Sequence, residues 1–240
     1  MRYAEIKRQA IQNGLLSCSQ QGFITAQGQL CSLISRQSKL LQAVLAEEQV
    51  WDTPPLIRRD WIEREAWENW LGHGLAAMVP GGHLLTPKPL AHLLNRLRHH
   101  SQDQSSWLLS GQAFREVEGT LPLHKQIAFS IVESVYAGGR EAVWKHASDA
   151  FGKVAELAGE LGLPVVLEER PDMFESRLML RFDELQPVPV CTVQILDNAL
   201  GAAYGLQLQH FGICSASLER WCLAVMAGHG ADPAGWPDMD

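Results

Sequence analysis

The chain has 240 residues, 46% of them hydrophobic and 20% charged, with a formal net charge of −7. That length and composition describe one large globular domain with a sizeable core. The acidic balance excludes an extended nucleic-acid surface, and no array of basic and aromatic residues is present to stack single-stranded bases.

The opening MRYAEIKRQA lacks the apolar core of a signal peptide, and no apolar run reaches the length of a membrane span. Residues 3–13 read as a helix closed by Gly14, and residues 15–25 as extended chain. Leu30, Leu33, Ile34, Leu41, Val44 and Leu45 fall at helical spacing, which predicts a helix over 29–50. Thr53-Pro54-Pro55 makes an extended entry, because proline pushes its predecessor out of the helical region. The next helix, about 58–71, carries Trp61, Trp67 and Trp70, which suit a core, a groove cover or a partner contact. A turn and short strand occupy 80–87, and a helix over 88–100 ends in Arg96, Arg98, His99 and His100. The two histidines read as solvated residues at a helix C-terminus rather than metal ligands.

After the polar loop SQDQSS, strands are predicted over 107–119 and 126–139, forming a hairpin with a long connection. Val143, Ala147, Phe151, Val154, Ala158 and Leu161 make the apolar stripe of a helix over 140–162, stopped by Gly162 and Pro164. Strands follow at 165–169, 177–187, 188–198 and 202–209. The stretch from His210 reads as a strand end turning sharply into a helix over 218–228 that carries Arg220. Strand runs with helices at their ends indicate an α+β fold with a mainly antiparallel sheet, taken as a single domain over 1–240 with the helical segment 1–50 packed on it. No phosphate-binding glycine motif follows a strand, which argues against a dinucleotide fold or P-loop. The cysteines Cys18, Cys31, Cys191, Cys214 and Cys222 are odd in number, form no CxxC pair and sit in apolar settings. They read as buried free thiols of a reducing cytoplasm.

The antiparallel strands, FREVE at 114–118 and the LERW helix at 218–221 together resemble the catalytic domain of class II aminoacyl-tRNA synthetases. More narrowly, REAVWKHASDAFGKVAELAGELGLPV at 140–165, LERWCLAVMAGHGADPAGWP at 218–237, TPP with its helix at 53–70 and LTP at 85–87 resemble the amino acid:[carrier protein] ligases. The likeness runs from about residue 11 to residue 237. It implies a class II synthetase-like antiparallel sheet flanked by helices, ATP and magnesium as cofactors, a carrier protein as acceptor and a homodimer formed around Thr53–Trp70. It also implies roles. Arg115 would hold the α-phosphate and the developing acyl charge. Glu118 would contact the adenine amino group, standing one position late because Val117 occupies the strict Glu position. Phe129 would stack on adenine, Asp183 would help hold magnesium, and Arg220 would fix the γ-phosphate. Read without the resemblance, Arg115 and Glu118 make an ion pair on a solvated face.

The departures concern the substrate end. The family holds zinc there through Cys, Glu and Cys, and this sequence has Ala113, Glu133 and Ile213. Cys214 is adjacent, but neighbouring strand residues point to opposite faces. A register shift bringing it inward still leaves two ligands of three, so zinc is not expected. Val132 replaces an arginine, Gln194 and Leu196 replace an Asn and a His, Ser217 replaces a glycine, and the loop between Phe174 and Arg181 is short. Glu133 and Gln194 are the polar residues left to the substrate pocket. Two readings follow. One is a zinc-independent, ATP-dependent ligase that activates a small acid and passes it to a carrier-protein thiol. The other is a catalytically silent paralogue that binds or regulates. A tRNA-acting enzyme is disfavoured by the acidic balance and the lack of a tRNA-binding arm.

Overall fold

The computed structural model describes residues 2–18, 24–45, 50–72, 78–79, 81–99, 105–115, 123–170, 174–196, 198–206 and 210–239. A seven-stranded sheet runs through the molecule. In sequence its strands are β3 (Val50–Thr53), β7 (Ser106–Phe114), β8 (Ala128–Gly138), β9 (Val165–Arg170), β10 (Glu175–Leu180), β11 (Val188–Ile195) and β12 (His210–Ser217). In space the order is β3-β7-β8-β12-β11-β10-β9. Only β3 with β7 is parallel; every other pairing is antiparallel. Smaller pieces are a hairpin of β1 (Leu16–Cys18) with β2 (Ile24–Ala26), and a three-stranded sheet of β4 (Leu56–Arg58), β6 (His83–Leu85) and β5 (Met78–Val79).

Alternation along the strands gives the large sheet two unlike faces. Val132, Tyr136, Cys191, Val193, Cys214 and Ala216 point to one. There they pack under α2 (Gln29–Leu45), α5 (Arg140–Glu160) and α7 (Leu218–His229), and α1 (Tyr3–Gln12) joins the same cluster. Trp107, Leu109, Val135, Phe211 and Ile213 point to the other. Part of that face is covered by α3 (Arg64–Leu71), α4 (Leu90–His99) and α6 (Asn198–Ala203). The stripe predicted for α5 is the buried one: Val143, Ala147, Phe151, Val154 and Ala158 all face the core. Gly212 lets α5 close on β12, since a Cβ there would collide with the Val143 carbonyl oxygen.

Several boundaries differ from the sequence reading. The strand predicted over 202–209 is helix α6 followed by a turn, with 207–209 outside the described residues. Leu200 and Tyr204, one turn apart, are both buried, and the Tyr204 hydroxyl donates to the Trp61 carbonyl and accepts from Trp67 Nε1. The helix from Gln29 ends at Leu45, and Val50 already belongs to β3. Residues 56–61 form β4 and a 3₁₀ turn rather than helix. Trp67 is fully buried, so the core reading holds for it, and Trp70 packs edge-on against it. Cys31 is exposed, against expectation, whereas Cys191, Cys214 and Cys222 are buried free thiols. Among the described residues, no helix is long and apolar enough to cross a membrane.

Candidate functional site

The partly open face of the sheet carries the residues of interest. Phe129 begins it on β8, opposite Ala113 of β7. Arg115 follows β7 and lays its guanidinium over the Phe129 ring, 5.0 Å from the centroid, while its Nε donates to the Gln126 carbonyl. Arg220 enters from the first turn of α7. Its Nε donates to the His124 carbonyl at 3.2 Å and its Nη1 to the Pro189 carbonyl at 3.0 Å. Glu219, beside it, accepts from the Ser130 amide through both carboxylate oxygens, which ties α7 to β8 and fixes the direction of Arg220.

Two arginines meet here, with the Glu219 carboxylate attracting Arg220. Burial pulls the Arg220 guanidinium down to about 10, and the charge on Arg115 adds to the effect. Burial lowers Arg115 as well. His124 is pulled down to about 4 by burial and by the charges of Arg220, Arg115 and Lys125. Among the described residues, neither arginine forms an ion pair, and the Ser217 hydroxyl and His124 Nδ1 are buried without a hydrogen-bond partner. Glu219 and the backbone carbonyls of Gln126, His124 and Pro189 offset part of the cost of burying the two charges.

Glu133 lies four residues along β8 from Phe129, on the same face, and is fully buried. Its Oε1 accepts from Lys88 Nζ at 2.7 Å and from Ser215 Oγ at 2.8 Å; its Oε2 accepts from the Leu90 amide at 3.2 Å. The carboxylate thus caps the N-terminal turn of α4 and neutralises a lysine at once. Lys88 is delivered by the LTP segment. Thr86 is fully buried, its amide donates to the Pro55 carbonyl, its carbonyl accepts from the Phe114 amide, and its hydroxyl donates to the Pro54 carbonyl. Ser215 stands opposite Glu133 across β12, and the same row continues through Thr192 of β11 and Arg177 of β10 to Glu168 of β9.

The structure sets Arg115 on the Phe129 ring, brings Arg220 near Arg115, and places Glu133 and Gln194 on the face of Phe129, Gln194 half-buried opposite Ile213. Glu118 lies outside the described residues. Asp183 is not on a strand: β10 ends at Leu180, and Asp183 sits exposed in the bend that follows. There Phe182 leaves the sheet to pack against Tyr3. The zinc ligand positions do not form a donor set. Ala113 and Ile213 are fully buried and apolar, and Cys214 faces the opposite side, its Sγ 3.7 Å from that of Cys191. Among the described residues, no group of three or more His, Cys, Asp or Glu side chains could hold a metal ion. Lys88, His124 and Ser215 were not singled out from sequence. A carboxylate in the apolar strand IVESV signals a buried partner, but nothing in the pattern says that residue 88 supplies it.

No protein-family model matches this sequence, and no curated protein is similar to it. Solved structures are. The seryl-tRNA synthetase of M. kandleri, in complex with A. aeolicus tRNASec, superposes with a TM-score of 0.81 at 14% identity, covering 100% of this chain and 60% of that one. The prolyl-tRNA synthetase of Giardia lamblia, in complex with prolyl-adenylate, gives 0.77 at 10% identity over 92% of this chain and 51% of that one. The cytoplasmic serine-tRNA ligase of Naegleria fowleri, in complex with AMP, gives 0.77 at 11% identity over 94% and 56%. The chain has the class II aminoacyl-tRNA synthetase fold and spans about half to three-fifths of the length of these structures.

Proposed function

We propose that this protein binds ATP on the open face of its sheet and condenses a small carboxylic acid with it, without zinc. The observation that carries this reading is the approach of Arg220 to Arg115, which covers Phe129; burial and mutual repulsion leave two guanidinium groups suited to a polyphosphate. The acid's carboxylate oxygen attacks the α-phosphorus, pyrophosphate leaves, and Arg115 stabilises the charge that builds between them. Magnesium would neutralise the departing phosphates; Asp183, exposed in the bend after β10, is the acidic residue offered for it. AMP and an adenylate in two of the similar structures support a nucleotide on this fold. The segments at 140–165 and 218–237 that resemble carrier-protein ligases support a phosphopantetheine thiol as acceptor and a dimer built around Thr53–Trp70.

Adenine stacking on Phe129 requires Arg115 to leave the ring it now covers. That contact, with the Lys88–Glu133 pair, favours the second reading: a catalytically silent paralogue in which protein groups fill the site. Titration calorimetry separates them. The ligase reading expects micromolar to millimolar Mg-ATP binding that weakens at least tenfold in R115A and in R220A. Absence of binding at millimolar Mg-ATP would sink it in favour of the silent paralogue.

A further inference from the structure

We propose that Cys191 and Cys214 are an oxidisable pair, and that a disulfide between them clamps strand β12 to β11. The strand register sets them up. Cys191 stands opposite Ala216 and Cys214 opposite Val193, so the two cysteines are diagonal neighbours on one face of the sheet. That face is the one beneath α5, and both side chains are buried in its apolar cluster. Their sulfurs lie 3.7 Å apart and share a hydrogen bond. The other described thiols are placed differently. Cys222 Sγ donates to Gln37 Oε1 at 3.0 Å, between α7 and α2. Cys31 is exposed, and its Sγ donates to the Ala26 carbonyl at 3.3 Å.

Burial pushes the Cys191 thiol up, because a thiolate is poorly solvated there. A disulfide carries no charge and suits the same surroundings. The oxidant is hydrogen peroxide, which is small enough to enter a sheet that opens briefly. One thiol loses its proton and attacks a peroxide oxygen; the O–O bond breaks, leaving a sulfenic acid and water. The second thiol attacks the sulfenic sulfur, the S–S bond forms and a second water leaves. Two electrons pass from the thiols to the peroxide. To reach bonding distance the sulfurs close by roughly 1.7 Å. Strand β11 has a place to give: Leu178 pairs with Cys191 but Met179 with Pro189, which leaves a bulge next to Cys191. Once formed, the bond closes residues 191–214 into a ring and keeps β12 from leaving β11, which restricts the unfolded chain.

The test treats the whole folded chain with hydrogen peroxide, blocks remaining thiols with iodoacetamide and maps peptides by mass before and after reduction. A peptide joining Cys191 to Cys214 is expected, lost on treatment with dithiothreitol. The oxidised wild type should unfold at a urea midpoint higher by about 1 M, and reduction should return it. C191A and C214A should form no such peptide and show no rise on oxidation. Should either variant fail to fold, the peptide map and the midpoints of oxidised and re-reduced wild type decide alone. Four results would overturn the proposal: linkage that forms only in urea, linkage of other cysteines in its place, a linked protein whose midpoint does not move, or an equal rise in a single variant.

Discussion

His124 titrates far below an ordinary histidine because it is partly buried and faces Arg220, Arg115 and Lys125. Between pH 6.5 and about 4 the unfolded chain takes up a proton there that the folded chain refuses. Stability is therefore full above pH 6.5 and falls as the pH drops toward 4, by about 1–2 kcal/mol once the half-exposed position is discounted. Urea unfolding at pH 7 and pH 4.5 should show this loss in the wild type and not in H124N. An anion between the arginines reverses the repulsion, so Mg-ATP binding at pH 5.5 should take up a proton, visible as a buffer-dependent heat. E133Q leaves the largely buried Lys88 ammonium uncompensated and should cost roughly 3 kcal/mol in urea unfolding at neutral pH. Arg115, Phe129 and Arg220 were legible through their motifs. That Arg115 rests on the Phe129 ring was not, because one residue type serves equally as phosphate ligand and as ring partner.

Among the elements, β12 and α5 approach closely at Gly212. G212A places a methyl against the Val143 carbonyl and the Ala147 side chain and should cost about 3 kcal/mol by forcing the helix off the sheet. Unfolding midpoints would show it, and a loss below about 0.5 kcal/mol would mean the helix can move away freely. The α5 side of this junction was readable in sequence, since its stripe repeats at helical spacing over five turns; its approach to Gly212 was not. Short elements were not. The stretch from Ala202 alternates like a strand, yet Leu200 and Tyr204 share a helical face and their burial against Trp67 decides the outcome. Strand β3 was hidden because four residues pair with β7 by parallel contact far away in sequence, and local pattern carries no trace of that.

Over the whole molecule, the two ends of the chain meet beneath the site. The Tyr3 amide donates to Glu184, the Asn13 side chain to the Ala231 carbonyl, and the Tyr3 ring packs on Phe182 and His124. Since the His124 carbonyl anchors Arg220, Y3A should reach the site as well as the core. We expect a stability loss of about 3 kcal/mol and a severalfold weaker affinity for Mg-ATP; unchanged affinity in the folded variant would uncouple α1 from the arginines.

The position of β12 has a consequence for synthesis. It is the last strand in the sequence and the middle one in space, lying between β8 and β11. Until residues 210–217 leave the ribosome, β8 and β11 have no neighbour on their inner edges, and the sheet exists as two halves with open backbone. Edges of that kind invite pairing with other chains. Closure of the sheet therefore waits on β12, and a chain truncated after residue 209 should be captured by chaperones and cut readily by protease. A released chain that runs on through β12 and α7 should resist.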